Sequence, residues 1–215
     1  MTAQPKEWIA VKAEKSLSKI AGANGEKELF FCLLKFSEKL EGTSLISNSS
    51  LYVSEGQKKW SEIDLVMIHN SGIYVFENKY LSGTLTGKIN DRLWMKSSDT
   101  IITIQNPIAQ NKKHLRVLAD YLDLPENFFK SVIVFSDNCD ISGCPKSSTD
   151  YIVTHLSDLS KTLEGHVHEK IISDRSVEEI FIRVMKCADA KEKVVNEHMN
   201  YVNDIRKRRK EERKR

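Results

Sequence analysis

Two carboxylates and a lysine in "EIDLVMIHNSGIYVFENK", residues 62–79, have the types and spacing to hold a divalent cation and aim a nucleophile. The stretch reads as two β-branched strands around a turn at His69-Asn70-Ser71-Gly72. With Asn70 and Ser71 as a two-residue loop, His69 pairs with Gly72 and, counting outward, Asp64 stands opposite Glu77. Moving the loop to Ser71-Gly72 makes the pair diagonal on the same face, whereas a three-residue loop breaks the relation unless a bulge restores register. Side chains alternate along a strand, so Lys79 shares the face of Glu77, and Val66, Ile68, Ile73 and Val75 turn that face inward. Carboxylates about 5 Å apart across a ladder repel each other. A hard divalent cation, which takes oxygen ligands, offsets that repulsion. A neighbouring lysine would then hold or help deprotonate an attacking water. Phosphodiester cleavage uses such a set: the cation activates water and stabilises charge on the phosphate while the lysine orients the nucleophile. Glu-x-Lys alone carries no information, since Glu212-Arg-Lys214 is another, and ladders of Asp, Glu and Lys on solvent-facing strands are the ordinary alternative.

The elements that must position these residues are legible around them. "EWIAVKAEKSLSKI" predicts a short helix, and "NGEKELFFCLLKFSEKL" a stronger one with Leu29, Leu33, Phe36 and Leu40 on one face. Strand-like segments near 50–53, 62–69, 72–78, 83–87 and 92–96 read as a β-meander, with a second turn at Ile89-Asn90-Asp91. "NPIAQNKKHLRVLADYL" opens a helix with Asn106 as N-cap and Pro107 at the first helical position. "SVIVFS" and "YIVTH" read as buried strands separated by a polar loop, with a short helix near 156–164. Ser176-Val-Glu-Glu179 has the form of a capping box opening a long C-terminal helix whose stripe, Ile180, Val184, Val195, Met199 and Val202, is interrupted. The expected organisation is an N-terminal helical segment at 1–20, a core at 21–165 and a C-terminal helix with a basic tail at 166–215.

Composition sets the frame. With 215 residues and 40% apolar content the chain can bury one sizeable core. Its longest apolar run, Leu29 to Leu34, is far too short to span a bilayer, and the charged first fifteen residues do not form a signal peptide, so no membrane association and a cytoplasmic location are expected. Cys32, Cys139, Cys144 and Cys187 lack paired spacing and read as reduced thiols rather than as a metal site, and His166-Val-His168 reads the same way. The last twelve residues, "DIRKRRKEERKR", hold eight Lys or Arg against three acids, a local net of +5, which leaves −2 for the rest of a chain whose total is +3. That run is either a solvated terminus or a phosphate-binding arm through Arg206, Lys207, Arg208, Arg209 and Lys210.

"GANGEKEL", "EIDLVMIHNSGIYVFENK", "LSGTLTG", Trp94 and "NPIAQNKKHLRVL" stand in the order and spacing of the nuclease-related domain, NERD, and the chain resembles that branch of the PD-(D/E)xK nuclease superfamily over residues 20 to 136. The resemblance implies an α/β restriction-endonuclease-like core, αβββαβ around a mixed sheet flanked by helices, here followed by the long C-terminal helix. It implies Asp64 and Glu77 as ligands of Mg²⁺ or Mn²⁺ and Lys79 as the catalytic lysine. Gly22-x-x-Gly25-Glu26 matches the family's glycine-rich start of the first helix, which makes Glu26 a candidate third acid, either binding metal directly or through water or complementing the helix dipole. Gln110 falls where related nucleases carry a helical glutamine facing the site, followed four residues later by His114. Trp94 reads as a core anchor more readily than as a base-stacking platform. Asn78 departs from the family, which more often has an apolar residue between the acid and the lysine. The function implied is Mg-dependent hydrolysis of nucleic acid, DNA in the first instance. Two alternatives are a non-cleaving nucleic-acid-binding module and a partner-binding protein that uses the C-terminal helix, with a homodimer among the open assemblies.

If the basic terminus contacts phosphates, deleting residues 206–215 should weaken DNA binding and flatten its salt dependence by about 0.7 to 0.9 in log K per log salt for each phosphate released. Turnover at saturating substrate should survive, because such contacts hold substrate and transition state alike. Full affinity with an unchanged slope would identify the run as a solvated terminus.

Overall fold

Residues 65–79 pair with one another and then with residues far along the chain, and the sheet they form is the centre of the molecule. The computed structural model describes residues 24–47, 51–56 and 59–189, which contain four α-helices and eleven strands. The predicted N-terminal helix, Gly22, the tail residues 206–210 and the distal half of the C-terminal helix lie outside the described residues. The central sheet has the order β1-β4-β5-β9-β11, made of Ser44–Ile46, Leu65–His69, Gly72–Lys79, Phe129–Phe135 and Tyr151–His155. Its first three strands are antiparallel neighbours, while β5, β9 and β11 run parallel.

Both faces of this sheet are covered, so its middle strands are apolar throughout rather than alternating. On one face Leu65, Met67, Tyr74, Phe76, Val132 and Val134 pack under helix α1, Asn24–Ser37, through Leu29, Phe30, Leu33 and Phe36, and under the short helix α3, Leu159–Glu164. On the other face Val66, Ile68, Ile73 and Val75 pack under α2, Pro107–Leu122, through Leu115, Leu118 and Leu122. They also meet α4, Asp174–Asp189, through Val177, Ile180 and Val184. The α2 start is built as its sequence demands. The Asn106 side chain accepts from the amides of Ile108 and Ala109 at 3.0 and 3.2 Å, and Pro107 fills the first turn.

A single meander over residues 50–96 is not what forms. β2, Leu51–Gly56, and β3, Lys59–Ile63, make a separate two-stranded sheet, and the predicted strand 62–69 is broken at Asp64, where the chain passes from that sheet into the central one. A third sheet has the order β10-β6-β7-β8, from Cys139–Gly143, Gly83–Thr86, Leu93–Ser97 and Ile101–Gln105. The segment read as a polar loop therefore contributes β10, which pairs parallel with β6. Trp94 is fully buried with Leu85, Ile108, Ile133 and Phe135 behind this sheet, its indole N–H donating to the Lys88 carbonyl at 3.0 Å, so it is a core anchor. The C-terminal helix begins two residues before Ser176: Ser173 caps it, its hydroxyl accepting from the Ser176 amide at 3.1 Å. All four cysteines are free, and among the described residues no helix is long and apolar enough to cross a membrane.

The turn between β4 and β5 is the two-residue one, with His69 paired to Gly72. Gly72 has φ +145°, and a Cβ there would stand 3.0 Å from the Phe128 carbonyl oxygen. Asn70 at the turn is buried, and it ties the hairpin to the C-terminal segment. Its amide nitrogen donates to the Ile172 carbonyl at 2.9 Å and to Asp174 at 2.8 Å, while its amide oxygen accepts from the Thr43 N–H at 2.6 Å. Asn70→Asp removes both donors and sets a carboxylate against Asp174. The expected loss is about 2 to 4 kcal/mol of unfolding free energy. Urea denaturation measures it, and a change below about 0.5 kcal/mol, the size of an ordinary surface substitution, would contradict this role for Asn70.

Candidate active site

Asp64 occupies the break between β3 and β4. Because Leu65 pairs with Phe76, the next position outward sets Asp64 opposite Glu77, and the Asp64 carboxylate accepts the Asn78 backbone N–H at 2.8 Å in place of a ladder bond. Glu77 lies on the inward face of β5 with only 1% of its surface exposed. Two residues on, the Lys79 ammonium donates to Glu77 Oε1 at 2.5 Å and to Gln110 Oε1 at 3.2 Å. Gln110 and His114 are one turn apart on α2, and His114 Nδ1 stands 3.3 Å from Glu77 Oε2. Strand and helix thus bring Asp64, Glu77, Lys79 and Gln110 into one cluster, with His114 as its inner wall.

Burial and like charge dominate the electrostatics. Desolvation first, and then the Glu77 charge, push the Asp64 carboxyl up to about 7, with Glu26 adding to the rise and the Asn78 hydrogen bond and Lys79 opposing it. Glu26, in the first turn of α1, is therefore part of the local field. The helix start comes close because residue 25 is glycine: a Cβ there would lie 2.7 Å from the Tyr80 side chain, next to Lys79. Tyr52 on β2 donates to Glu62 at 2.6 Å. Burial, followed by that bond and the charges of Glu62, Glu26 and Asp64, holds its hydroxyl protonated far above the ordinary range.

Asn111 is the positioning residue that sequence reasoning does not single out. Its buried amide nitrogen donates to the Val75 carbonyl and the Ser131 hydroxyl at 2.9 Å and to the Val132 carbonyl at 3.3 Å, which pins α2 across β5 and β9. The only signal for it is an amide at a position that must face the sheet once Asn106 fixes the helix start. Asn78 points to the opposite face from Glu77, where neighbouring Met67, Tyr74 and Phe76 are fully buried, so the polar residue does not open that face.

Two carboxylates on a sheet edge suit a hard cation that keeps several waters. One observation of the site fits such an ion: Glu77 Oε2 is buried without a hydrogen-bond partner. Among the described residues no three His, Cys, Asp or Glu side chains form a metal cage by themselves, so water and substrate oxygens would complete the shell.

The raised Asp64 pKa has a sign that stability can test. Unfolded, Asp64 titrates near its ordinary value of 3.8, and folded near 7, so the folded chain holds the extra proton between those values and loses stability as pH rises through that window. A divalent cation held there would need the ionised carboxylate, so any stabilisation by it would grow over the same range. Melting temperatures from pH 5 to 8, with and without Mg²⁺, should show a fall that the cation reverses and that Asp64→Asn flattens. An unchanged slope in Asp64→Asn would assign the pH dependence to another group.

An uncharacterized protein of Bacillus anthracis is 24% identical to this chain over 197 residues, covering 89% of this chain and 88% of that protein. No solved structure matches. The family model described as nuclease-related domain matches residues 21–136, from the start of α1 to the end of β9, and holds every residue of the cluster. That match spans just over half of the 215 residues, and the chain belongs to the nuclease-related domain, NERD, family.

Proposed function

We propose that the chain is a metal-dependent nuclease of the PD-(D/E)xK type that hydrolyses phosphodiester bonds in DNA. The observation that carries this reading is the convergence of Asp64, Glu77 and Lys79 on one buried sheet edge, with a Glu77 oxygen left unpartnered. The arrangement α1, β1, β4, β5, α2, β9 around the central sheet supports a PD-(D/E)xK core. Asp64 and Glu77 would hold Mg²⁺ or Mn²⁺, with Glu26 in reach of their field. Such an ion supplies an activated water and stabilises charge gathering on the phosphate.

The remaining work falls to this chain's own side chains. Lys79, held between Glu77 and Gln110, stands ready to orient the attacking water by donating an N–H to its oxygen. The Gln110 amide oxygen accepts from the Lys79 ammonium, which limits the directions that lysine can adopt. Asn78 N–H keeps the Asp64 carboxylate turned toward Glu77 rather than into solvent. The basic run 206–210 is the candidate arm for the DNA backbone.

Purified protein with Mg²⁺ or Mn²⁺ should convert supercoiled plasmid or single strands to product and stop on addition of chelator. Asp64→Asn and Glu77→Gln should abolish cleavage and keep the fold. Lys79→Ala should slow turnover by about 100-fold or more with DNA affinity nearly intact. Cleavage that survives in Asp64→Asn or Glu77→Gln would place the activity elsewhere. DNA binding with no product under any divalent ion would favour the non-cleaving module.

A further inference from the structure

The contact between Glu77 and His114 is incomplete. Glu77 Oε2 and His114 Nδ1 face each other at 3.3 Å, and both residues are more than nine-tenths buried. Their separation lies within ion-pair range, yet neither atom has a hydrogen-bond partner of acceptable geometry. Leaving two buried polar atoms in that state costs about 1 to 3 kcal/mol each. Lys79 does not relieve the contact, because its ammonium is committed to the other Glu77 oxygen and to Gln110.

A divalent ion bound by both atoms would account for this geometry. Ligand bonds of about 2.1 Å meeting near a right angle put an oxygen and a nitrogen ligand about 3 Å apart. The observed 3.3 Å needs only a small adjustment of either side chain to reach that spacing. Imidazole nitrogen favours transition ions over Mg²⁺, which prefers an all-oxygen shell.

We infer that His114 is a nitrogen ligand of the active-site cation, beside Glu77, and that it biases the site toward a divalent transition ion such as Mn²⁺ over Mg²⁺. The inference rests on the nuclease reading of the same cluster, and it adds the identity of the preferred ion. Glu77 and His114 are two of its ligands, and water oxygens fill the remaining positions. The spacing of His114 from Gln110 then has a chemical use: one turn of α2 presents a partner for the lysine and a partner for the metal.

Calorimetric titration with Mn²⁺ and separately with Mg²⁺, on wild type, His114→Ala and His114→Gln, tests this without any turnover. Mn²⁺ affinity should fall by at least ~10-fold in both variants while Mg²⁺ affinity changes little, removal of even an outer-shell partner commonly costing 10-fold or more. Pulsed EPR of the wild-type Mn²⁺ complex should show coupling to a directly bound nitrogen, absent in His114→Gln. Circular dichroism establishes that each variant is folded. If a variant fails to fold, the nitrogen coupling of the wild-type complex still decides the matter. Equal losses for both ions, no loss, or a Mn²⁺ complex without nitrogen coupling would overturn the inference and leave a His–Glu contact bridged by a proton. The nuclease reading fails differently, through absent cleavage under every ion.

Discussion

Burying the Glu77 carboxylate costs several kcal/mol unless opposite charge and hydrogen bonds are brought to it, and the surrounding elements are arranged to bring them. Lys79 arrives on the same strand, two residues along, because the pleat returns to the same face. Gln110 and His114 arrive on α2, which packs on that face through Leu115, Leu118 and Leu122 and is pinned there by Asn111 binding strand backbone on both β5 and β9. The apolar residues beside them, Val66, Ile68, Ile73 and Val75, keep water away, and so strengthen every charge interaction at the edge.

Asp64 faces the same demand from a different position. It stands where the chain changes sheets, so its backbone neighbours belong to two different hydrogen-bonded ladders. The missing ladder bond is replaced by its side chain accepting from the Asn78 amide. A residue without a short side-chain acceptor would leave that strand amide without this partner. Asp64 thus joins two sheets and presents a carboxyl at the joint, where burial and then the Glu77 charge raise its pKa against the Asn78 hydrogen bond.

The hairpin is the most legible part of the sequence, because period-two alternation and a two-residue Asn70-Ser71 turn define register without reference to anything distant. The α2 start is equally readable from Asn106-Pro107. What sequence hides is long-range. Nothing local tells that β2 and β3 leave the central sheet, that Cys139–Gly143 pairs parallel with β6, or that β8 adds to β7. The C-terminal helix starts earlier than its capping box suggests, since Ser173 and Ser176 are both good caps and only the tertiary contact of Asp174 with Asn70 and Thr43 selects the first. Of the site, Asp64, Glu77, Lys79 and Gln110 can be named from motif and parity. The roles of Asn111 and His114 emerge only with the helix docked.

The two-residue turn at Asn70-Ser71 also has a bearing on the order of folding. Within the central sheet it closes the shortest loop, whereas pairing β5 with β9 must wait for the whole span from Lys79 to Phe129, α2 included, to be organised. Loop-closure entropy therefore favours the β4–β5 hairpin as the nucleus. Asp64 and Glu77 meet in that hairpin while water still screens them, and they are dehydrated only when α2 condenses over the strand. Water weakens the mutual repulsion of the two acids at the hairpin stage, and the larger part of it falls on the docking step, after register is set.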